Sequence, residues 1–175
     1  MNINEMLSQS PVMSGPFPSF DDRTFSSPLS HFQEWFKCAV AKEVLEPRSM
    51  VLATYDQTHL VDSRVLVIKA MDDEGFFIES GKGRTKVEQL KENSHVAMNF
   101  YWREQGRQIR LQGKAVEVRS EDFKHVRDYL DAKTRDLAVY KVIPDRMEFY
   151  QALEQGGYER MLYTKENNKW LTSWL

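Results

Sequence analysis

The sequence has little of what several functional classes require. Cys38 is the single cysteine among 175 residues. No disulfide can form within the chain, and its place in an amphipathic helical pattern marks a small buried hydrophobe rather than a nucleophile. His31, His59, His95 and His125 are scattered without HxxxH spacing, and CxxC is absent, so no metal is expected. No apolar run approaches the length that crosses a bilayer. No apolar core follows basic residues at the N-terminus, so no signal peptide is expected and the cytoplasm is the default location. Lysine and arginine number 24 against 26 acids, a net charge of −2. Without a basic surplus, nucleic acid is a poor candidate partner.

What is present suits one globular domain, with 41% apolar and 29% charged residues. Aromatics at 12% are enough to cover a core and also to line a flat ligand or an interface. The densest stretch is Arg64–Lys86, RVLVIKAMDDEGFFIESGKGRTK. Two apolar runs flank an Asp-Asp-Glu-Gly turn, which predicts a β-hairpin. The second run empties into a basic glycine loop ahead of a helical pattern. Glycine backbone and a helix start favour an anion, and Arg64, Lys69, Lys82, Arg84 and Lys86 are placed to donate to phosphate. The stretch reads equally well as a solvated turn carrying a few lysines.

Residues 1–28, rich in Ser, Pro and Asn, predict an extended or loosely ordered arm, and residues 29–175 a single domain. Pro16-Phe17-Pro18-Ser19-Phe20 is more apolar than a tail requires. Pro28 opens a helix, capped by Ser27, with Leu29, Phe32, Trp35, Phe36, Ala39, Val40 and Val44 on one stripe. Strands are predicted at Met50–Thr54, Leu60–Ala70, Phe76–Ser80, His95–Trp102 and Arg107–Val118. A short helix is predicted over Arg84–Asn93, and another begins at Ser120. The run Leu137–Ile143 is broken by Pro144. Arg146–Leu153, Tyr158–Thr164 and Trp170–Trp174 read as closing strands. Six or seven antiparallel strands with short hairpins avoid exposed edges most simply by closing into a barrel, with helices at the periphery.

The order of these motifs resembles the pyridoxine 5′-phosphate oxidase family. The resemblance runs from Pro16 to the C-terminus on Arg48–Asp56, Arg64–Lys69, Gly75–Lys86, Arg107–Ala115 and Arg146–Tyr163. The arm and Glu46-Pro47-Arg48 look most like its phenazine-biosynthesis branch. The resemblance implies a mainly β, α+β split barrel that works as a homodimer, with FMN at the subunit interface. Arg64, Val65, Leu66, Val67, Ile68 and Lys69 would lie along the cofactor, with Arg64 on its phosphate. Glu79, Ser80, Arg84, Thr85, Lys86, Gln108, Tyr150 and Arg160 match further cofactor positions, and Lys69, Tyr129, Lys133 and Tyr158 the substrate side. Three departures stand out. Thr85-Lys86 replaces Arg-Lys, a Gln-Ser pair expected after Arg135-Asp136 is absent, and Gly156-Gly157-Tyr158 replaces Arg-Leu-His. Paired cations are lost from the substrate side, so a vitamin B6 phosphate is not expected.

The implied activity is an FMN-dependent oxidase acting on an aromatic or partly reduced polycyclic secondary metabolite. Hydride would pass to flavin N5 and dioxygen would reoxidise the flavin, with no protein acid or base assigned. Two other readings stay open. One is a non-catalytic barrel with a decayed FMN site that binds a metabolite or partner, and the other is an NAD(P)H-dependent flavin reductase.

Overall fold

The computed structural model describes residues 2–20, 25–119, 121–131 and 136–175. Its elements run α1 (Ile3–Gln9), α2 (Pro28–Ala41), β1 (Ser49–Asp56), β2 (Leu60–Val67), β3 (Ala70–Met71), β4 (Phe76–Gly81), α3 (Thr85–Glu92), β5 (His95–Trp102), β6 (Arg107–Glu117), β7 (Leu137–Ala152), β8 (Tyr158–Glu166) and β9 (Lys169–Trp174). The sheet order is β2-β1-β5-β6-β7-β4-β3, every pairing antiparallel. The two ends of that path are one piece of chain, because β2 runs into β3 through Ile68 and Lys69. The Ile68 N–H donates to the Arg48 carbonyl on one side and the Lys69 N–H to Phe77 on the other. The path therefore closes into a six-stranded barrel, and β8 and β9 extend it from the far half of β7.

Alternation fills the barrel. Met50, Leu52, Met98, Phe100, Ile109, Leu111, Met147 and Phe149 point inward and are buried. The α2 helix plugs one end with Leu29, Phe32 and Trp35. Its start is a capping box in which Ser27 accepts from the Ser30 N–H, with Pro28 in the first turn.

Three expectations change. Pro144 does not break a strand, since β7 is continuous from Leu137 to Ala152. The proline lies opposite Gly113, where the β6–β7 register shifts, and at such a bulge a missing N–H costs no ladder bond. A side chain on Gly113 would meet the Ile143 carbonyl oxygen at 2.1 Å. Second, the arm is not simply extended. Ile3–Gln9 is helical, its start fixed by reciprocal bonds between Asn2 and Glu5. Beyond it, Phe20 enters the core against Trp35 and Trp174, and Phe17 packs where Gly106 turns with φ +63°. Third, the segment predicted as a helix from Ser120 is a 3-10 helix over Lys124–Tyr129, and Ser120 lies outside the described residues. Phe123, Val126 and Leu130 of this segment bury Phe77 and Val139 in a second, smaller core on the outside of the barrel. No helix among the described residues is long and apolar enough to cross a membrane.

Candidate functional site

The predicted site residues fall into three groups. The first gathers where β2, β4 and α3 meet. Arg64 is the best anchored. It donates to the Leu52 carbonyl at 3.3 Å, Thr54 Oγ1 at 2.6 Å, Asp62 at 2.6 Å and Gln89 Oε1 at 3.3 Å. Thr54 and Gln89 are buried and were not among the expected residues. Polar residues at inward positions of β1 and α3 were the available signal, since a buried polar side chain needs a partner. Lys86 reaches Ser80 Oγ at 3.3 Å from the first turn of α3. Arg84 is the N-cap residue of that helix and folds back over Gly81, while Thr85 stands exposed beside it.

Burial, and then the charges of Arg64 and Arg84, hold the Lys86 ammonium below its ordinary value of 10.5. Asp62 opposes this only in part. Three cations thus crowd a helix start and a buried serine. An anionic oxygen group placed among them would relieve the repulsion and accept several charge-assisted bonds.

Along β2, Val65 is exposed on the outer wall, Val67 is half-buried, Leu66 packs against the core and Ile68 is within it. Lys69 ends this row and begins the second group. Its ammonium meets Asp131 at 2.5 Å and Glu79 at 3.7 Å. Tyr129 stands 69% exposed two residues before Asp131. Lys133 lies outside the described residues.

The third group forms a row across three strands. Gln108 on β6 pairs with Tyr150 on β7, and Tyr150 with Arg160 on β8. The Tyr150 and Tyr158 rings lie 5.2 Å apart, and the Arg160 guanidinium lies 5.1 Å over the Tyr158 ring. Beneath them Glu148, 2% exposed, accepts from Arg110 at 2.6 Å and Arg146 at 3.2 Å, with Arg160 3.7 Å away. Burial pushes the Glu148 carboxyl up, but bonds and charge from Arg110 and then Arg146 outweigh it and hold the group below the usual carboxylate value. Glu148 thereby fixes the arginines that frame the row. The Arg160 Nε is buried and makes no hydrogen bond, an unused donor facing the same row.

The first and third groups adjoin opposite ends of β7. Ser80 pairs with Ala138, and Gln108 pairs with Tyr150, both on β7. The twelve intervening steps, at about 3.3 Å each, amount to about 40 Å of strand. Between them the outer wall of β1, β2 and β5 exposes Val51, Val61, Val65 and Tyr55. Among the described residues, no cluster of three or more His, Cys, Asp or Glu side chains is placed to hold a metal.

The site is thus a closed antiparallel barrel with a cationic helix start and, elsewhere on its wall, an arginine–aromatic row. Comparison with known proteins gives this arrangement its family. The pyridoxamine 5′-phosphate oxidase family model matches residues 36–158, and the chain belongs to this family. It is 29% identical over 175 residues to the pyridoxine/pyridoxamine 5′-phosphate oxidase of Paraburkholderia phymatum, covering 79% of this chain and 82% of that one. The structure of PhzG from Burkholderia lata 383, in complex with tetrahydrophenazine-1-carboxylic acid, superposes with a TM-score of 0.81. That match is at 22% identity and covers 92% of this chain and 99% of that one. A pyridoxamine 5′-phosphate oxidase-related, FMN-binding protein of Nostoc punctiforme gives a TM-score of 0.66 at 14% identity, over 85% of this chain and 94% of that one. The expected family and split-barrel class therefore stand, and the family supports a flavin-related oxidoreductase.

Proposed function

We propose that this chain is an FMN-dependent oxidase that works as a homodimer on a flat, partly reduced polycyclic molecule. The observation that carries the reading is the crowding of Arg64 and Arg84 on Lys86, which itself reaches Ser80. Like charges held together in a folded protein are costly unless an anion joins them. The flavin phosphate fits this cradle, with Arg64 preset by Thr54, Asp62 and Gln89. Thr85 leaves one contact fewer than an arginine there would give.

The remaining residues divide the other tasks. Val65 and Val67 offer an apolar wall along the ring system. Gln108, Tyr150 and Arg160 would come from the second subunit, because about 40 Å of β7 separates them from the cradle. Arg160, steadied by Glu148, supplies a donor to the polar edge of the ring. The exposed valines and Tyr55 on the intervening wall suit a subunit interface. Bound FMN would supply the redox chemistry, a two-electron oxidation of the substrate coupled to reduction of dioxygen to peroxide. The protein's part is to bind, to orient and to keep water from the reacting faces. No side chain is assigned a proton transfer.

The purified protein is mixed with excess FMN, desalted and read by visible absorption. Retained flavin bands support the reading, and a colourless protein refutes it. If the retained flavin bleaches on anaerobic NADPH or NADH alone, the activity is a flavin reductase instead.

A further inference from the structure

Lys69 lies where β2 passes into β3, and its side chain is 23% exposed. The carboxylates of Glu79 and Asp131 both approach its ammonium, and they differ in kind. Glu79, at 3.7 Å, has a side chain only 4% exposed, and among the described residues neither of its oxygens finds a hydrogen-bond partner. A carboxylate so buried needs a cation beside it at all times. Asp131 meets the ammonium at 2.5 Å from the outer side, and its side chain is 73% exposed. It gives Lys69 up to another anion at little cost, because an exposed ion pair is weak.

The backbone limits what has to move. Leu130, just before Asp131, is 3% exposed and packs into the smaller core with Phe77 and Val139. A turn of the Asp131 side chain is enough to uncover the outer side of the ammonium. Lys69 stays where it is, so Glu79 keeps its counter-charge throughout. A ligand carboxylate has the same shape and charge as the group that leaves, and Lys69 would donate to it as it donates to Asp131.

We propose that Asp131 is a stand-in for the anionic group of the substrate, holding the outer side of Lys69 until a flat ring molecule bearing a carboxylate displaces it. This rests on the flavin-site reading, which puts the substrate beside Lys69. Anionic molecules bind only the state in which Asp131 has turned away, so their apparent affinity is reduced in proportion to its population. A neutral ring of the same shape is not in competition with Asp131. Asp131 acts through Lys69 and is a positioning residue.

Two fluorescent tricyclic probes test the proposal: acridine-9-carboxylate, and acridine itself, which is neutral at mildly alkaline pH. Each is titrated into the flavin-loaded full-length protein. Asp131→Asn is expected to tighten the carboxylate about three- to fivefold, the size of one exposed ion pair removed as a competitor, and to leave acridine unchanged. A background of Lys69→Met with Glu79→Gln removes the ammonium and its buried counter-charge together. In that background Asp131→Asn should bring no gain. Asp128→Asn, an exposed carboxylate on the same segment, controls for overall charge and should move neither probe.

Unchanged carboxylate binding in Asp131→Asn overturns the proposal. Weaker binding overturns it too, since Asp131 would then be aiming Lys69 at the ligand. Equal tightening of both probes would make Asp131 a plain obstruction, and a gain that survives without Lys69 would place the exchange elsewhere; either result refutes the stand-in. A wild type that retains no FMN sinks the functional reading and this inference with it, whereas an unmoved carboxylate in a flavin-loaded protein sinks this inference alone.

Discussion

Replacing Lys86 by methionine should move stability and cofactor affinity in opposite directions. In the flavin-free protein Lys86 is half-buried and its pKa is lowered, by burial first and then by Arg64 and Arg84. Its only hydrogen bond among the described residues is a long one, 3.3 Å to Ser80. Methionine keeps the length of the side chain and removes the repulsion, so the flavin-free variant should be more stable, by up to about 1 kcal/mol. Sensitivity to pH gives the sign independently. The unfolded chain holds this proton more tightly than the folded one. The stability difference between variant and wild type is therefore full below the folded pKa and closes as pH rises toward 10.5. With FMN the balance reverses. A charge-assisted hydrogen bond to phosphate contributes about 1.5–3 kcal/mol, so the variant should bind FMN roughly 10- to 150-fold more weakly. Thermal melts without flavin and fluorescence titration with it read the two effects separately. A variant that melts lower when flavin-free and binds FMN as the wild type does would show Lys86 to be a structural residue, and the cradle assignment would be wrong.

Other consequences are equally direct. Thr85→Arg should tighten FMN binding about tenfold, the lower end for one added charge-assisted contact, and an unchanged titration would place position 85 off the phosphate. FMN affinity in the wild type should fall as pH climbs past the lowered pKa of free Lys86, because a bound phosphate raises that pKa and binding takes up a proton; Lys86→Met should lack this slope. Gly113→Ala should destabilise the fold by about 3 kcal/mol or more, since its methyl would meet the Ile143 carbonyl oxygen at 2.1 Å, and a melt within a degree of wild type would contradict the bulge. The His59–Asp56 pair, 2.8 Å apart, should contribute most between the two pKa values it perturbs. The Asp56 hydrogen bond raises His59, so that contribution is lost as pH rises through the folded histidine value. Burial pushes Asp56 up, but bonds from His59 outweigh it, so its own contribution is lost as pH falls through the lowered aspartate value. Comparing His59→Gln with the wild type across pH isolates the pair.

The strands were legible because inward and outward residues alternate cleanly, as in Arg107–Glu117, whose buried set Ile109, Leu111 and Ala115 is visible in the sequence. Pro144 misled because its effect depends on a partner thirty-one residues earlier, Gly113, and no local rule reports which strand position lacks a ladder bond. The helix at Ile3–Gln9 was missed because one turn of capping chemistry outweighs a polar composition over so short a span. At the site, cationic residue types were readable from the basic loop. Their partners were not. Gln89 reaches Arg64 across 25 positions and Glu148 meets Arg110 across 38, and such pairings exist only once the barrel has closed.

The length of β7 has a consequence for mixed populations. If each pocket takes its cradle from one subunit and its aromatic row from the other, the two pockets of a dimer share no chain's full set. A subunit defective at Lys86 would then spoil one pocket and leave the other to its partner. A defect at Arg160 in that partner would fall in the same spoiled pocket, leaving the other pocket complete. Two inactive variants, folded together, would rebuild one working centre per mixed pair, while either alone would have none.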